Sequence, residues 1–143
     1  SGQGFLATAI HAIQSGRTVE IFGEQGTVRD YIHVQDVARG ILAVLDKGTC
    51  GEAYNIGTGI GTCHGEAIQM LQPLALQAGL EIRCRHLPPR NFDVEANILD
   101  TSKLRDASGW SHTIDLHEGL HRMWNAFLHR QHEQHSEQVY NSK

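Results

Sequence analysis

Short runs rich in β-branched and aromatic residues alternate along this chain with longer stretches in which apolar residues return every three or four positions. That alternation points to an α/β architecture, because strands and helices taken in turn pack as layers around one core. Phe5, Leu6, Ile10 and Ile13 mark a first helix closed by Ser15 and Gly16. The run TVEIFG, residues 18–23, has strand character. VRDYIHV, residues 28–34, forms a second extended run, and it leads to Asp36, placed to N-cap a helix carrying Val37, Ile41, Leu42 and Leu45. EAYNIG, residues 52–57, reads as another strand. The next helix spans residues 63–77, and Pro73 within it is expected to kink or break it. LEIRCRHL, residues 80–87, is a strand closed by Pro88 and Pro89, and a short helix starts near Thr101 after Asp100. The last helix begins near Asp115, with Leu116, Leu120, Trp124, Phe127 and Leu128 on one face. Residues 1–128 are thus expected to form one domain, and the polar residues 129–143 a frayed helix end or disordered tail.

Composition narrows the range of partners. A chain of 143 residues with 40% hydrophobic content suits one domain, burying roughly 70% of the surface exposed when unfolded. Twelve Lys plus Arg against 16 Asp plus Glu leave a net charge of −4, so no basic excess grips a nucleic-acid backbone. No stretch approaches the ~20 continuous apolar residues of a membrane span, and no charged-then-apolar leader opens the chain. A protein of the cytoplasm with small polar partners is the expectation. Cys50, Cys63 and Cys84 are far apart, without a C-x-x-C pair, and read as free thiols.

The glycine cluster NIGTGIGT follows an extended run and opens a helix, as a dinucleotide-binding turn does. The G-x-G-x-x-G pattern nevertheless fails: counted from Gly57 it meets Thr62, and counted from Gly59 it meets His64. A tight turn is the simpler reading. Cys63 stands where Ser or Thr would cap the following helix, with Glu66 in the capping-box position. A thiol there can also be acidified, although a weak cap accounts for it. His129, His132 and His135 are spaced by three but have no Cys, Asp or second His cluster at metalloenzyme spacing around them, so a solvated face is expected and no metal. The sequence has no G-x-S-x-G, no H-E-x-x-H and no tyrosine followed four residues later by lysine, and therefore no complete catalytic set.

Arginine is what remains. Arg29 opens an extended run in which Arg29, Tyr31 and His33 would share one face. Arg90 follows two prolines and precedes Asp93 by three positions. Two guanidinium groups brought together would suit a diphosphate, since each can make paired hydrogen bonds to phosphate oxygens. The alternative is that each pairs with its local acid, Asp30 or Asp93, and spacing leaves both open.

At these residues the chain resembles a known family. VEIFGEQGTVRDYIHVQDVARG, GEAYNIGTGIG with Glu66 after it, LPPRNFDVEANILDTSKL, and GW followed by LHEGLHRMW together resemble, in order and spacing, the C-terminal part of the extended short-chain dehydrogenase/reductases. These are the NAD-dependent nucleotide-sugar epimerases and dehydratases, typified by UDP-glucose 4-epimerase. The resemblance implies a Rossmann-type α/β protein represented here by its substrate-binding portion. It implies that Arg29 and Arg90 contact the diphosphate of a nucleotide sugar and that Asp93 binds ribose hydroxyls. It further implies that Glu20 through its backbone and Phe22 through its ring meet the base.

Members of that family carry a dinucleotide-binding half with a glycine-rich NAD turn and a Tyr-x-x-x-Lys pair, and neither motif occurs in these residues. The resemblance therefore implies that most of the dinucleotide-binding half precedes this segment and that NAD serves the full-length enzyme, not this chain alone. Three functions stay open on this reading: the substrate domain of an epimerase or dehydratase, a non-catalytic nucleotide-sugar module, or a structural and oligomerisation remnant. The helix after Asp36 is apolar over much of its circumference, from Val37 through Leu45, so a homo-oligomer, formed directly or by domain swapping, is expected.

Overall fold

The computed structural model describes residues 4–141, with side chains through residue 128. Helix α1 (Phe5–Gln14) ends where Gly16 adopts φ 66°, a left-handed conformation that glycine takes without steric cost. Strand β1 (Val19–Phe22) follows, then β2 (Val28–Asp30) and helix α2 (Val34–Lys47). Strand β3 (Gly61–Cys63) leads directly into α3 (His64–Gln77), and β4 (Cys84–Leu87), β5 (Ala96–Asn97), α4 (Ser102–Ser108) and α5 (Leu116–Asn141) complete the order. Two small sheets result. In one, β1 and β4 run parallel with Val19 opposite Cys84 and Phe22 opposite Leu87. In the other, β2 lies between β3, antiparallel to it, and β5, parallel to it.

The main core sits between α1, β1, α3 and α5. Ile10, Ile13, Ile21, Leu71, Leu120 and Trp124 are almost wholly buried there, and Leu80 and Ile82 pack against the same cluster. Each such side chain stabilises the fold by about 1.5–3 kcal/mol.

Five local expectations are corrected. Residues 52–57 form no strand, and the third strand lies later, at Gly61–Cys63. The turn that joins them is tied down by side chains instead: Asn55 donates to the carbonyl of Asp100, and the Asp30 carboxylate accepts from the amides of Thr58 and Gly59. The strand read over residues 80–87 is confined to its second half, because Leu80 and Ile82 turn into the core. Pro73 lies inside α3 without breaking it. It faces solvent, as does Gln69, whose carbonyl loses its helical donor and can take one from water, while Ala67, Ile68, Leu71, Leu74 and Ala75 hold the opposite face in the core.

The fourth correction concerns the start of α2. His33 is its N-cap, its Nδ1 accepting from the Gln35 amide at 3.2 Å, so Asp36 falls inside the helix and does not cap it. Asp36 is fully buried and reaches across to the segment before α5. One carboxylate oxygen accepts from the Thr113 amide at 3.0 Å and from Arg39, and the other accepts from the Ile114 amide at 3.0 Å. The extended run beginning at Val28 also ends sooner than expected, at Asp30, so Arg29, Tyr31 and His33 do not share a strand face.

The helix expected from Asp115 does start there, Asp115 accepting from the Glu118 amide at 2.8 Å. Cys63 and Glu66 form the reciprocal capping box read from the sequence. Cys50, Cys63 and Cys84 are free. The side chains of residues 129–143, including His129, His132 and His135, for which a solvated face or tail is expected, lie outside the described residues. Among the described residues no helix is long and apolar enough to cross a membrane, and no group of three or more His, Cys, Asp or Glu is placed to hold a metal.

Candidate functional site

Between α1, β1 and the start of α3 opens a cleft of about 490 Å³. Phe5, Glu20, Phe22, His64 and Arg90 are among its walls. Three of the five sequence-derived site residues, Glu20, Phe22 and Arg90, thus meet in one place. The register of β1 against β4 and the turn at Pro88 and Pro89 bring this about, because Phe22 sits opposite Leu87, three positions before Arg90. The Arg90 guanidinium lies over the Phe22 ring, 4.1 Å from its centroid, and 5.2 Å from that of Phe92. It also makes a two-pronged pair with Asp93, at 2.8 and 3.1 Å. The local pairing of Arg90 with Asp93 is therefore present. Glu20 turns its carboxylate to Arg85, its partner on β4.

Arg29 behaves differently. Its Nη1 donates to the carbonyls of Val28 and Val94 at 2.7 and 2.8 Å, and it does not pair with Asp30. Asp30 is instead satisfied by the Thr58 hydroxyl and amide, the Gly59 amide and the Leu99 amide. Gly57 is required beside it, since a Cβ there would stand 2.6 Å from an Asp30 oxygen. Burial pushes the Asp30 carboxyl up, but these hydrogen bonds outweigh it and hold it below the ordinary value. The NIGTGIGT turn thus has its amides directed at an internal carboxylate.

His64 is the residue that sequence reasoning passed over; it entered only as the position where a glycine pattern failed. Its ring stacks on Phe5, centroids 3.7 Å apart and planes 6° from parallel, and its Nε2 lies 3.2 Å from the Thr27 hydroxyl. Burial is the largest cause holding its imidazole below the ordinary value, followed by the Arg29 charge; Asp93 opposes them and Arg90 adds to them. Of Arg29, Arg90 and Asp93, only Arg90 lines the cleft with His64; Asp93 is held to Arg90, and Arg29 to the Val28 and Val94 carbonyls.

Tyr31 lies on the other side of β2, in an apolar groove with Leu6, Val34, Leu116 and Met123. Burial is the main cause of its phenol being pushed up to about 12, and its hydroxyl has no hydrogen-bond partner among the described residues.

The sequence profile of the NAD dependent epimerase/dehydratase family matches residues 1–57. The chain is 31% identical over 117 residues to the UDP-glucose 4-epimerase of Mycolicibacterium smegmatis, covering 82% of this chain and 36% of that protein. It is 35% identical over 109 residues to the dTDP-glucose 4,6-dehydratase of Streptomyces niveus, covering 76% and 32%. Its fold superposes on the UDP-glucose 4-epimerase of Thermotoga maritima, solved with UDP-glucose, with a TM-score of 0.83 and 34% identity, over 92% of this chain and 41% of the other. The chain spans about a third of the length of these curated relatives. Its α/β fold and its sequence together identify it as a part of a protein of the NAD-dependent epimerase/dehydratase family, to which it belongs.

Proposed function

We propose that this chain is the substrate-binding part of an NAD-dependent nucleotide-sugar epimerase or dehydratase, working in the cytoplasm, and that its cleft holds the nucleoside and diphosphate. The observation that carries this reading is the meeting of Glu20, Phe22, His64 and Arg90 in one cleft. The Arg90 guanidinium on its wall suits a ligand with adjacent negative charges. In this reading Arg29 and Arg90 hold the diphosphate, Asp93 the ribose hydroxyls, and Phe22 with the Glu20 backbone the base. A ligand has two contacts to displace: the Asp93 pair on Arg90 and the Arg90 guanidinium on the Phe22 face. Part of the binding energy is used there.

The NAD of the whole enzyme does not fit this chain's own glycine turn. The Thr58 and Gly59 amides that would face a pyrophosphate are already spent on Asp30. The cofactor and the catalytic groups are assigned to the remaining length of the enzyme.

Calorimetry with UDP-glucose tests the cleft. Arg29→Ala and Arg90→Ala are each expected to weaken binding roughly ten-fold or more. Lysine at either position should not fully restore it, because the planar fork is lost. Unchanged affinity in both alanine variants overturns the assignment.

The oligomer is part of the same proposal. Val34, Ile41, Leu42 and Leu45 expose 73, 49, 64 and 78% of their surface along one side of α2. Such a stripe favours self-association, side by side or by strand exchange. Light scattering at tens of micromolar is expected to give a dimer or larger, and a clean monomer counts against it.

A further inference from the structure

We propose that His64 is a third recognition group of this cleft, a specificity residue that faces the diphosphate and adds its charge to those of Arg29 and Arg90 only while that ligand is bound. The inference rests on the reading of the cleft given above and deepens it.

The ring is held in place rather than left to rotate. Phe5 covers one face, the Thr27 hydroxyl meets Nε2, and the loop before β2 closes on its edge. Gly26, at φ 75°, makes that closure possible: a Cβ there would stand 2.6 Å from the Cβ and Nδ1 of His64. Glycine at position 26 thereby leaves room for this imidazole, at a wall shared with Phe22 and Arg90.

The charges around it supply the conditional behaviour. Arg29 and Arg90 disfavour the imidazolium, Asp93 favours it, and burial disfavours it most of all. Arg17 and Glu20 also line the cleft, but Glu20 is paired with Arg85. Glu66, on the same helix as His64, is turned back to the Cys63 amide. A sugar-linked diphosphate brings about two fixed negative charges into this field. They offset the two guanidinium groups, and the imidazole takes up a proton from solvent; no covalent bond changes. Without ligand the cleft is thereby spared a further positive charge, while the occupied one gains a further donor.

UDP-glucose is the probe, because its diphosphate does not itself titrate near neutrality, and uridine is the uncharged control. Calorimetry in two buffers of different ionisation enthalpy should show UDP-glucose binding roughly three- to ten-fold more tightly at about pH 5.5 than at about pH 7.5, with net proton uptake. Uridine should show neither. His64→Gln, which retains a polar group for Thr27, should abolish both the uptake and the pH dependence. In the unsubstituted chain, the proton NMR titration of His64 should move to higher pH when UDP-glucose is added. A pH dependence that survives in His64→Gln, or a His64 titration unmoved by UDP-glucose, overturns this inference and leaves the cleft reading standing. Absence of UDP-glucose binding to the parent chain overturns both.

Discussion

Replacing Asp36 by alanine is expected to destabilise this chain by about 3–5 kcal/mol, the cost of breaking a buried charged network on one side. Asp36 has no exposure at all, and its carboxylate is the acceptor for the Thr113 and Ile114 amides and for Arg39. Removing it strands two backbone donors inside the protein, each an unmet desolvation penalty of about 1–3 kcal/mol. Arg39 can recover its share from water, since its side chain is 47% exposed. Arg39→Ala should therefore cost much less, about 1 kcal/mol or below. Urea unfolding of the two variants separates the effects. If Asp36→Ala is as mild as Arg39→Ala, the carboxylate is not what joins α2 to the start of α5. Total stabilities of about 5–15 kcal/mol are usual for such domains, so the larger loss approaches the unfolding limit.

Asp30→Ala should be the second severe substitution, at about 2–4 kcal/mol, because one carboxylate serves two separate segments. It accepts from Thr58 at 2.8 and 2.5 Å, Gly59 at 2.9 Å and Leu99 at 3.3 Å. Its effect also carries a pH signature. Burial acts to raise this carboxyl, the hydrogen bonds from Thr58, Gly59 and Leu99 lower it further, and the net value in the folded chain lies below the ordinary 3.8. A group depressed in the folded state contributes stability above its unfolded value, and that contribution is lost as pH falls through the folded value. The parent chain should therefore lose stability below about pH 4, and Asp30→Asn should flatten that part of the curve while lowering the plateau. An acid limb identical in parent and Asp30→Asn would show that Asp30 does not supply it.

The features legible in the sequence are those whose cause is local. The glycine stop of α1, the cap at Asp115 and the Cys63–Glu66 box each depend on residues within four positions of one another. Misreadings came where a partner lies far along the chain. Residues 52–57 look like a strand by composition, but the turn they lead into is anchored to Asp30, 28 positions earlier. Asp36 looks like a cap for the helix it sits in, and it serves residues 77 and 78 positions away. In the cleft, Arg90 could be nominated from the sequence, whereas His64 could not. The only local hint for His64 is Gly26, whose reason for being glycine is a ring 38 positions on.

The parallel pairing of β1 with β4 has a kinetic side. Glu20 and Arg85 face each other across 65 positions of chain, so the entropy of closing that loop is paid before any strand bond repays it. Helices α1, α3 and α5 also close long loops, but they offset that cost by burying large apolar side chains such as Ile10, Leu71 and Trp124 on one another. The β1 wall carrying Glu20 and Phe22 is accordingly expected to acquire its hydrogen bonds late in refolding, which pulse-labelled amide exchange can time; protection of Val19 and Gly23 ahead of α3 would reverse the order. The cleft is then a late product of folding, assembled on a helical scaffold that already stands.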